Sequence, residues 1–368
     1  MKGRGIGIGF RRWKAYNLGP ILAQQATAIR FVDTVAAAAR LNPGREDWLF
    51  VWGATMPPGL RELSTATGAP VLRIEDGFVR SVGLGSDLIP PMSLVLDRQG
   101  IYFDATHPSD LEALLQNATF RPGELEQAQR VRTFIVAHGI TKYNLEPRHR
   151  LRWPSGGRRV VLVPGQVETD ASIALGAGTV RTNLALLEAA RASQPDAFIV
   201  YKPHPDVMSG NRRGRLALAA ARSIADHIET EASIVSCIDA CDEVHTMTSL
   251  SGFDALLRNK HVVTWGQPFY AGWGLTDDRF LSGEALARRT RKLTLDEMVA
   301  VALLQYPIYW DPDLKRFSDC ETIISKLSAS RDKLEAEGRL EQLRSGFVRR
   351  QARKVKMLAT AWLGRARP

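Results

Sequence analysis

What the sequence lacks excludes several classes of protein. The 368-residue chain has only three cysteines, Cys237, Cys241 and Cys320, which cannot all pair and have no second ligand pair for zinc. No run approaches the ~20 apolar residues that span a bilayer, and the N-terminal sequence has no signal-peptide core. We therefore expect a cytoplasmic protein, and neither a secreted disulfide-rich domain nor an integral membrane protein.

Acidic residues are missing from the segment 346–368, which carries seven basic ones: Arg349, Arg350, Arg353, Lys354, Lys356, Arg365 and Arg367. The rest of the chain has 42 of the 49 basic residues and all 39 acidic ones, so its net charge is only +3. A nucleic-acid-binding domain would carry its basic face on the folded body, so no nucleic-acid partner is expected. Apolar residues alternate with the charges, which predicts an amphipathic tail that binds the anionic inner-membrane surface. The alternative is a disordered, solubilising tail.

Strand and helix patterns alternate along the chain, which predicts an α/β fold with two Rossmann-like domains. Strands are expected at 48–52, 71–74, 159–163, 197–201 and 243–246, and the β-branched run within 159–163 is typical of a buried parallel strand. Helical patterns lie between them, and one is expected over 23–41. A further strand is expected at 233–235.

These patterns suggest four segments. We expect an N-terminal α/β domain over 1–150 and a second α/β domain over 151–293. A helical segment over 294–345, opening with a capping box at Thr294, is expected to pack back on the body. The basic amphipathic tail follows over 346–368.

Two adjacent carboxylates, Glu75 and Asp76, follow the strand predicted at 71–74 and precede Gly77. Neighbouring residues in an extended segment point to opposite sides, so only one of the two is expected to face a cleft. There it can accept a proton from an attacking hydroxyl. The alternative is an Asp-Gly turn beside a solvated glutamate.

Gln166, Glu168 and Asp170 follow the strand predicted at 159–163. In doubly wound folds, ligands bind beyond the carboxyl ends of the strands. A carboxylate beside an anomeric carbon can act as nucleophile or stabilise an oxocarbenium-like state. The alternative is helix capping by Thr169 or Asp170.

Two further clusters suit a phosphate. Lys202, His204 and Pro205 follow the next strand, where a lysine charge and a backbone-constrained histidine can bind phosphate oxygens. Ser249 and Ser251 lie where a strand passes into a helix, and the free N–H groups there attract anions. Ordinary serine capping is the alternative. A phosphate-bearing donor, acidic groups and two α/β halves together predict a glycosyltransferase with its cleft between the domains.

At these motifs the chain resembles the capsule polysaccharide β-Kdo transferases of Gram-negative bacteria. The segments that carry the resemblance are 73–111 (RIEDGFVR at its start), 161–173 (VLVPGQVETDASI), 200–207 (VYKPHPDV) and 244–278 (VHTMTSLSGFDALL at its start). The resemblance covers approximately residues 1–315. It implies a two-domain enzyme of the GT-B kind that uses CMP-β-Kdo and retains the anomeric configuration. The 1–150 domain would lie on the acceptor side, and the 151–293 domain would bind the CMP-sugar.

The resemblance also implies roles for particular residues. Asp170 would be the nucleophile, and His204 would contact the CMP phosphate. Glu75 or Asp76 would activate the acceptor hydroxyl, and the choice between them stays open. The remaining candidates for substrate binding are Ser249, Ser251, Lys202, Pro205, Gln166, Glu168 and Gly77. No cofactor or metal is expected, because a CMP-linked sugar carries a single nucleotide phosphate.

The expected partners are a CMP-sugar donor, a glycolipid or glycan acceptor, the inner-membrane surface and the capsule export machinery. Two alternatives stay open. One is a transferase for another CMP-linked nonulosonic acid such as sialic acid, and the other is a non-catalytic module that binds capsule precursor or export machinery. Many capsule enzymes of this family carry two such modules in tandem, whereas this chain has room for one.

Overall fold

The computed structural model describes residues 3–146, 148–204, 218–280, 284–340, 351, 355 and 357–362. The strands in this part are β1 Gly5–Ile8, β2 Ile29–Val32, β3 Trp48–Trp52, β4 Val71–Asp76, β5 Ser93–Asp97, β6 Val160–Pro164, β7 Phe198–Lys202, β8 His227–Ile228, β9 Glu243–Thr246, β10 His261–Thr264, β11 Asp277–Asp278, β12 Pro307–Asp311 and β13 Arg316–Ser318. The α-helices are Arg12–Ala23, Val35–Ala39, Leu60–Thr67, Asp110–Asn117, Glu124–Ala137, Ala171–Gly176, Asn183–Ser193, Leu218–Arg222, Ile234–Ala240, Leu250–Leu257, Glu284–Arg288, Leu295–Val299 and Cys320–Ala336.

The first of two compact units consists of Met1–Ile101, Ile140–Leu145 and Ala302–Pro368. Its sheet has the order β13-β12-β5-β4-β3-β1-β2. Strands β2, β1, β3 and β4 run parallel, and β5 and β12 then alternate in direction. Because β1, β3 and β4 are parallel, the residues at their carboxyl ends meet at one edge of this sheet.

The glycines of β1 are required by packing. A Cβ built on Gly5 would lie 2.4 Å from the Phe50 ring, and one built on Gly7 would lie 2.4 Å from the Phe31 ring. Aromatic side chains from β3 and β2 thus cover the backbone of β1, which explains why β1 carries glycine at these two positions.

The second unit consists of Tyr102–Gly139 and Glu146–Val301. Its sheet is parallel throughout, in the order β11-β10-β9-β6-β7-β8. Every residue of β6 and β7 is buried, and Val161 and Val163 of β6 share a core with Leu186 and Leu187. The predicted α/β class with two Rossmann-like sheets is confirmed.

Three predictions of secondary structure are wrong. The segment 23–41 is not one helix, because β2 lies within it and pairs with β1. Ser233 does not begin a strand; its hydroxyl accepts a hydrogen bond from the Ser236 N–H and caps the helix Ile234–Ala240. The segment 294–345 begins with the predicted Thr294 capping box but is not all helical, since it contains β12 and β13.

The two units are not continuous in sequence. Residues 102–139 belong to the second unit rather than to the expected 1–150 domain. From residue 302 onward, the chain belongs to the first unit again. The return has a structural reason, because β12 extends the first sheet by pairing with β5. Among the described residues no helix is both long and apolar enough to cross a membrane.

Candidate functional site

The adjacent carboxylates end β4 in the first unit and differ in their contacts. Asp76 Oδ2 lies 2.7 Å from Nε of Arg80, whose side chain is buried. Within the described residues Asp76 Oδ1 is buried without a hydrogen-bond partner. Glu75 Oε1 accepts a hydrogen bond from the Asp76 N–H at 3.0 Å, and Glu75 forms no ion pair with any described residue. Asp76 is therefore held by a cation, whereas Glu75 is not.

The surroundings of Glu75 favour its neutral form. Burial, followed by the neighbouring charge of Asp76, raises the pKa of Glu75 to about 7, although Lys142 and Lys14 pull it down. A general base works best with a pKa near the operating pH. Of the two carboxylates, Glu75 has the environment that such a base requires.

Sequence reasoning missed a lysine beside the acidic pair. Lys14 lies in the helix Arg12–Ala23, and its ammonium nitrogen is 3.2 Å from the centroid of the Trp52 ring. Burial lowers the pKa of Lys14 to about 8, although the negative charges of Glu75 and Asp76 act to raise it. The available signal was position, because Lys14 follows β1 and Trp52 ends β3 at the sheet edge where β4 also ends.

Gly77 is required by packing against β5. A Cβ built on it would lie 2.2 Å from Ser93 Oγ, and that hydroxyl already donates to the Val79 carbonyl. The Gly77 N–H donates to the Ser93 carbonyl at 3.1 Å. These contacts give Gly77 a structural role beside the carboxylates, and its predicted contact with substrate stays a prediction.

In the second unit, Gln166 joins the loop after β6 to neighbouring elements. Its backbone N–H donates to Asn183 Oδ1 at 2.8 Å, and Asn183 Nδ2 donates back to the Gln166 carbonyl at 2.9 Å. The Gln166 side chain bonds Thr248 in the loop after β9. Glu168 continues this network, because its Oε1 accepts from the Asn183 N–H at 2.7 Å. Both predicted binding residues therefore hold the loop in place.

Asp170 lies half-buried at the start of the helix Ala171–Gly176. Its Oδ1 accepts a hydrogen bond from the Ser172 N–H at 3.0 Å, so the capping alternative is present in the structure. The Ser172 hydroxyl in turn accepts from Thr248 Oγ1 at 3.2 Å. The cap fixes the orientation of the carboxylate and connects Asp170 through Ser172 and Thr248 to Gln166.

The residues after β7 have different positions from those expected. Lys202 is buried, and its ammonium donates to the Ala232 carbonyl. The expectation that Lys202 offers a charge to a phosphate is therefore wrong for this structure, because the side chain is directed into the protein. His204 is half-buried. Its backbone lies beside the loop after β6, because a Cβ built on Gly165 would be 3.3 Å from the backbone nitrogen of His204. Pro205 lies outside the described residues.

The loop after β9 leads into the helix Leu250–Leu257. Ser249 caps this helix, and its Oγ accepts from the Ser251 N–H and donates to Ser251 Oγ, both at 3.1 Å. The Tyr270 hydroxyl donates to the Ser249 carbonyl at 2.5 Å. Both serines are half-buried at the positive end of the helix dipole.

The second unit thus brings its predicted residues together at one sheet edge. The loops after β6, β7 and β9 contact one another through Gly165 and Thr248. The acidic pair occupies the corresponding edge of the first unit, and a shared crevice between the units stays a prediction. No group of three or more described acidic, histidine or cysteine residues is arranged to hold a metal ion; metal independence stays a prediction.

Comparisons with known proteins identify relatives of the chain. Residues 47–309 match the family described as "Capsule polysaccharide biosynthesis protein". The chain is 41% identical over 315 residues to the capsule polysaccharide modification protein LipA of Neisseria meningitidis serogroup B, covering 86% of this chain and 44% of that protein. It is 40% identical over 288 residues to the lipopolysaccharide-processing protein LpsZ of Rhizobium meliloti, covering 76% of this chain and 64% of LpsZ. The chain thus spans about half to two thirds of these relatives.

Two solved structures resemble this chain, and each match covers nearly the whole length of the solved structure. Both are from Thermosulfurimonas dismutans and carry the name KpsC. The structure titled a β-Kdo 2,7 transferase is 35% identical, with a TM-score of 0.71, and the match covers 89% of this chain and 99% of that chain. The structure titled a β-Kdo 2,4 transferase is 32% identical, with a TM-score of 0.74, and the match covers 88% and 98%.

Proposed function

Because the chain belongs to the capsule polysaccharide biosynthesis protein family, we propose that it is a glycosyltransferase that moves β-Kdo from CMP-Kdo to a glycolipid or glycan acceptor. The observation that carries this proposal is the match to two structures titled β-Kdo transferases, which covers almost all of each. The acidic groups at the edges of both sheets supply the side chains that such a transfer requires.

The proposed reaction has two displacements. Asp170 attacks the anomeric carbon of Kdo, the bond to the phosphate oxygen breaks, and CMP leaves with the bonding electrons. The acceptor hydroxyl then attacks the same carbon, Glu75 takes its proton, and the Asp170 carboxylate is released. Two inversions at one carbon give net retention.

The proposed donor site lies at the carboxyl edge of the second sheet. Ser249 and Ser251 bind the CMP phosphate at the helix N-terminus, where N–H groups and the helix dipole favour an anion. His204 contacts the same phosphate and assists its departure. The proposal includes no metal, because a single nucleotide phosphate leaves less charge to neutralise than a diphosphate. Gln166 and Glu168 enter as residues that hold the loops.

We also propose that the chain binds the anionic inner-membrane surface through its C-terminal segment. Val355, Leu358 and Trp362 are exposed large apolar side chains, and the segment 346–368 has seven basic residues and no acidic one. Exposed apolar groups among basic residues suit the headgroup region of anionic lipids. A lipid-linked acceptor and the export machinery would be reached at that surface.

The test is a transfer assay with purified protein, CMP-Kdo generated in situ and short Kdo-terminated lipid acceptors. Mass spectrometry of the product and release of CMP are the readouts. We expect a product one Kdo heavier, no loss of turnover after EDTA treatment, and no transfer by Asp170→Asn. The matched control is Asp196→Asn, an exposed aspartate of the same unit. Turnover with CMP-sialic acid alone, or none with any CMP-sugar, would overturn the proposal.

A further inference from the structure

The Trp52–Gly53 corner lies against both a cation and the proposed base. The Lys14 ammonium nitrogen is 3.2 Å from the Trp52 ring centroid. Gly53 has a φ of 68°, and a Cβ built on it would lie 3.5 Å from Glu75 Oε2. Trp52 pairs with Ile74 in the neighbouring strand, immediately before Glu75. Backbone pairing therefore places Trp52 and Glu75 in neighbouring strands, one residue out of register.

A second cation acts on Glu75 from another segment. Lys142 belongs to Ile140–Leu145, which the structure places in the first unit. The backbone N–H groups of Arg80 and Ser81 donate to the Lys142 carbonyl at 3.2 and 3.3 Å, which fixes this segment beside the loop after β4. Lys142 and Lys14 both interact electrostatically with Glu75.

We propose that Lys14 and Lys142 are positioning residues for Glu75. Their positive charges favour its ionised form over the neutral one, so that it can accept the acceptor's proton. The inference rests on the proposed function, because it assigns Glu75 the role of base. The Trp52 ring holds the Lys14 ammonium by a cation–π contact. The cation therefore acts on Glu75 through space, and the carboxylate keeps its capacity to take a proton.

Charged groups of both signs act on Glu75 and Lys14, and the Tyr143 hydroxyl also interacts with Glu75. Burial and Asp76 raise the pKa of Glu75, whereas Lys142 and Lys14 lower it. Arg80 and Arg11 act on Lys14 and favour its neutral form. Removing a lysine charge therefore raises the pKa of Glu75, so the base becomes protonated at a higher pH. The acid limb of the pH profile must then move toward higher pH.

The experiment compares Lys14→Met, Lys142→Met and the double variant with wild type. Acceptor-dependent kcat/KM is measured against pH, and Glu75 is titrated by NMR of protein labelled with [5-13C]glutamate, with Glu75→Gln assigning its signal. We expect both the acid limb and the Glu75 titration to move up by about one pH unit in the double variant. Lys14→Arg keeps the positive charge that Lys14→Met removes, so it should give the wild-type acid limb and the wild-type Glu75 titration. The control is Lys333→Met, which removes an exposed charge in the helix Cys320–Ala336.

Other outcomes would overturn the inference. A fall in kcat with an unmoved acid limb would indicate a merely structural role. A raised KM for the acceptor with an unmoved limb would mean that the lysines bind the acceptor directly. The NMR titration needs no turnover, so it decides the inference even if the chain transfers no Kdo.

Discussion

Gln166 and Thr248 bind each other through two hydrogen bonds that join the loops after β6 and β9. Gln166 Nε2 donates to Thr248 Oγ1 at 3.0 Å, and the Thr248 N–H donates to Gln166 Oε1 at 3.0 Å. Thr248 immediately precedes Ser249, and Gln166 lies four residues before Asp170. This pair therefore fixes the proposed phosphate-binding residues relative to the proposed nucleophile.

We predict that Gln166→Ala lowers the free energy of unfolding by about 2–3 kcal/mol, because the half-buried Thr248 N–H loses its acceptor and Thr248 Oγ1 loses a donor. Urea denaturation measures this loss, and transfer activity should fall in the folded protein as well. Gln116→Ala is a matched control, since Gln116 makes the same two kinds of hydrogen bond with Thr290 at an exposed position. A Gln166 variant as stable and active as the Gln116 variant would contradict the prediction.

Residues at strand ends were predictable because β6 and β7 contain continuous apolar runs in the sequence. Such runs locate the polar residues that follow them at one sheet edge. Side-chain direction was not predictable in the same way. Lys202 ends β7, and only the packed structure shows its ammonium on the Ala232 carbonyl. Lys14 lies in the helix Arg12–Ala23, which was not predicted, and its contact with Trp52 depends on how that helix packs on the sheet.

The acidic pair gives a prediction about pH dependence. If Glu75 is the base, kcat/KM should fall as pH drops through about 7, because the protonated carboxyl cannot accept a proton. Glu75→Gln should lower turnover by roughly 10²–10⁴-fold. Asp76→Asn removes a neighbouring negative charge, so the acid limb should move to lower pH. The pH profiles of both variants check this.

The same Asp76 variant separates the roles of the two carboxylates. It breaks the ion pair with the buried Arg80 side chain and should cost about 3 kcal/mol of unfolding free energy. Its folded fraction should still transfer Kdo. A complete loss of turnover in folded Asp76→Asn, with activity retained in Glu75→Gln, would assign the base to Asp76 instead.

We predict that any side chain at position 77 destabilises the protein, because Ser93 occupies the space that the side chain would need. Gly77→Ala is expected to cost about 2 kcal/mol, because the new methyl group overlaps Ser93 Oγ. Thermal unfolding measures the loss, and Gly77→Ala with Ser93→Gly should recover part of it. The control is Gly44→Ala, since a Cβ built on Gly44 meets no atom within 4 Å. Equal stability of the two alanine variants would refute the packing argument.

Lys202→Met should destabilise the second unit without weakening donor binding. The substitution leaves the Ala232 carbonyl without its ammonium donor, at a cost of about 1–3 kcal/mol. Lys260→Met is the matched control, because Lys260 also donates to backbone carbonyls but is less buried. Chemical denaturation and the KM for CMP-Kdo are the measurements. A stable Lys202→Met protein with a greatly raised KM would show that the lysine binds the donor after all.

The C-terminal segment gives the last prediction. Each basic residue near an anionic surface contributes ~1 kcal/mol, so deleting residues 346–368 should reduce binding to vesicles of phosphatidylcholine and phosphatidylglycerol at least about tenfold. Vesicle pelleting measures this, and raised salt should weaken the full chain's binding because it screens the charges. Trp362→Ala tests the apolar contribution, although Arg12 lies 5.5 Å from the Trp362 ring centroid and the stability of this variant must be checked. Vesicles of phosphatidylcholine alone are the control for charge. Binding to the anionic vesicles that survives the deletion would place the membrane contact elsewhere on the chain.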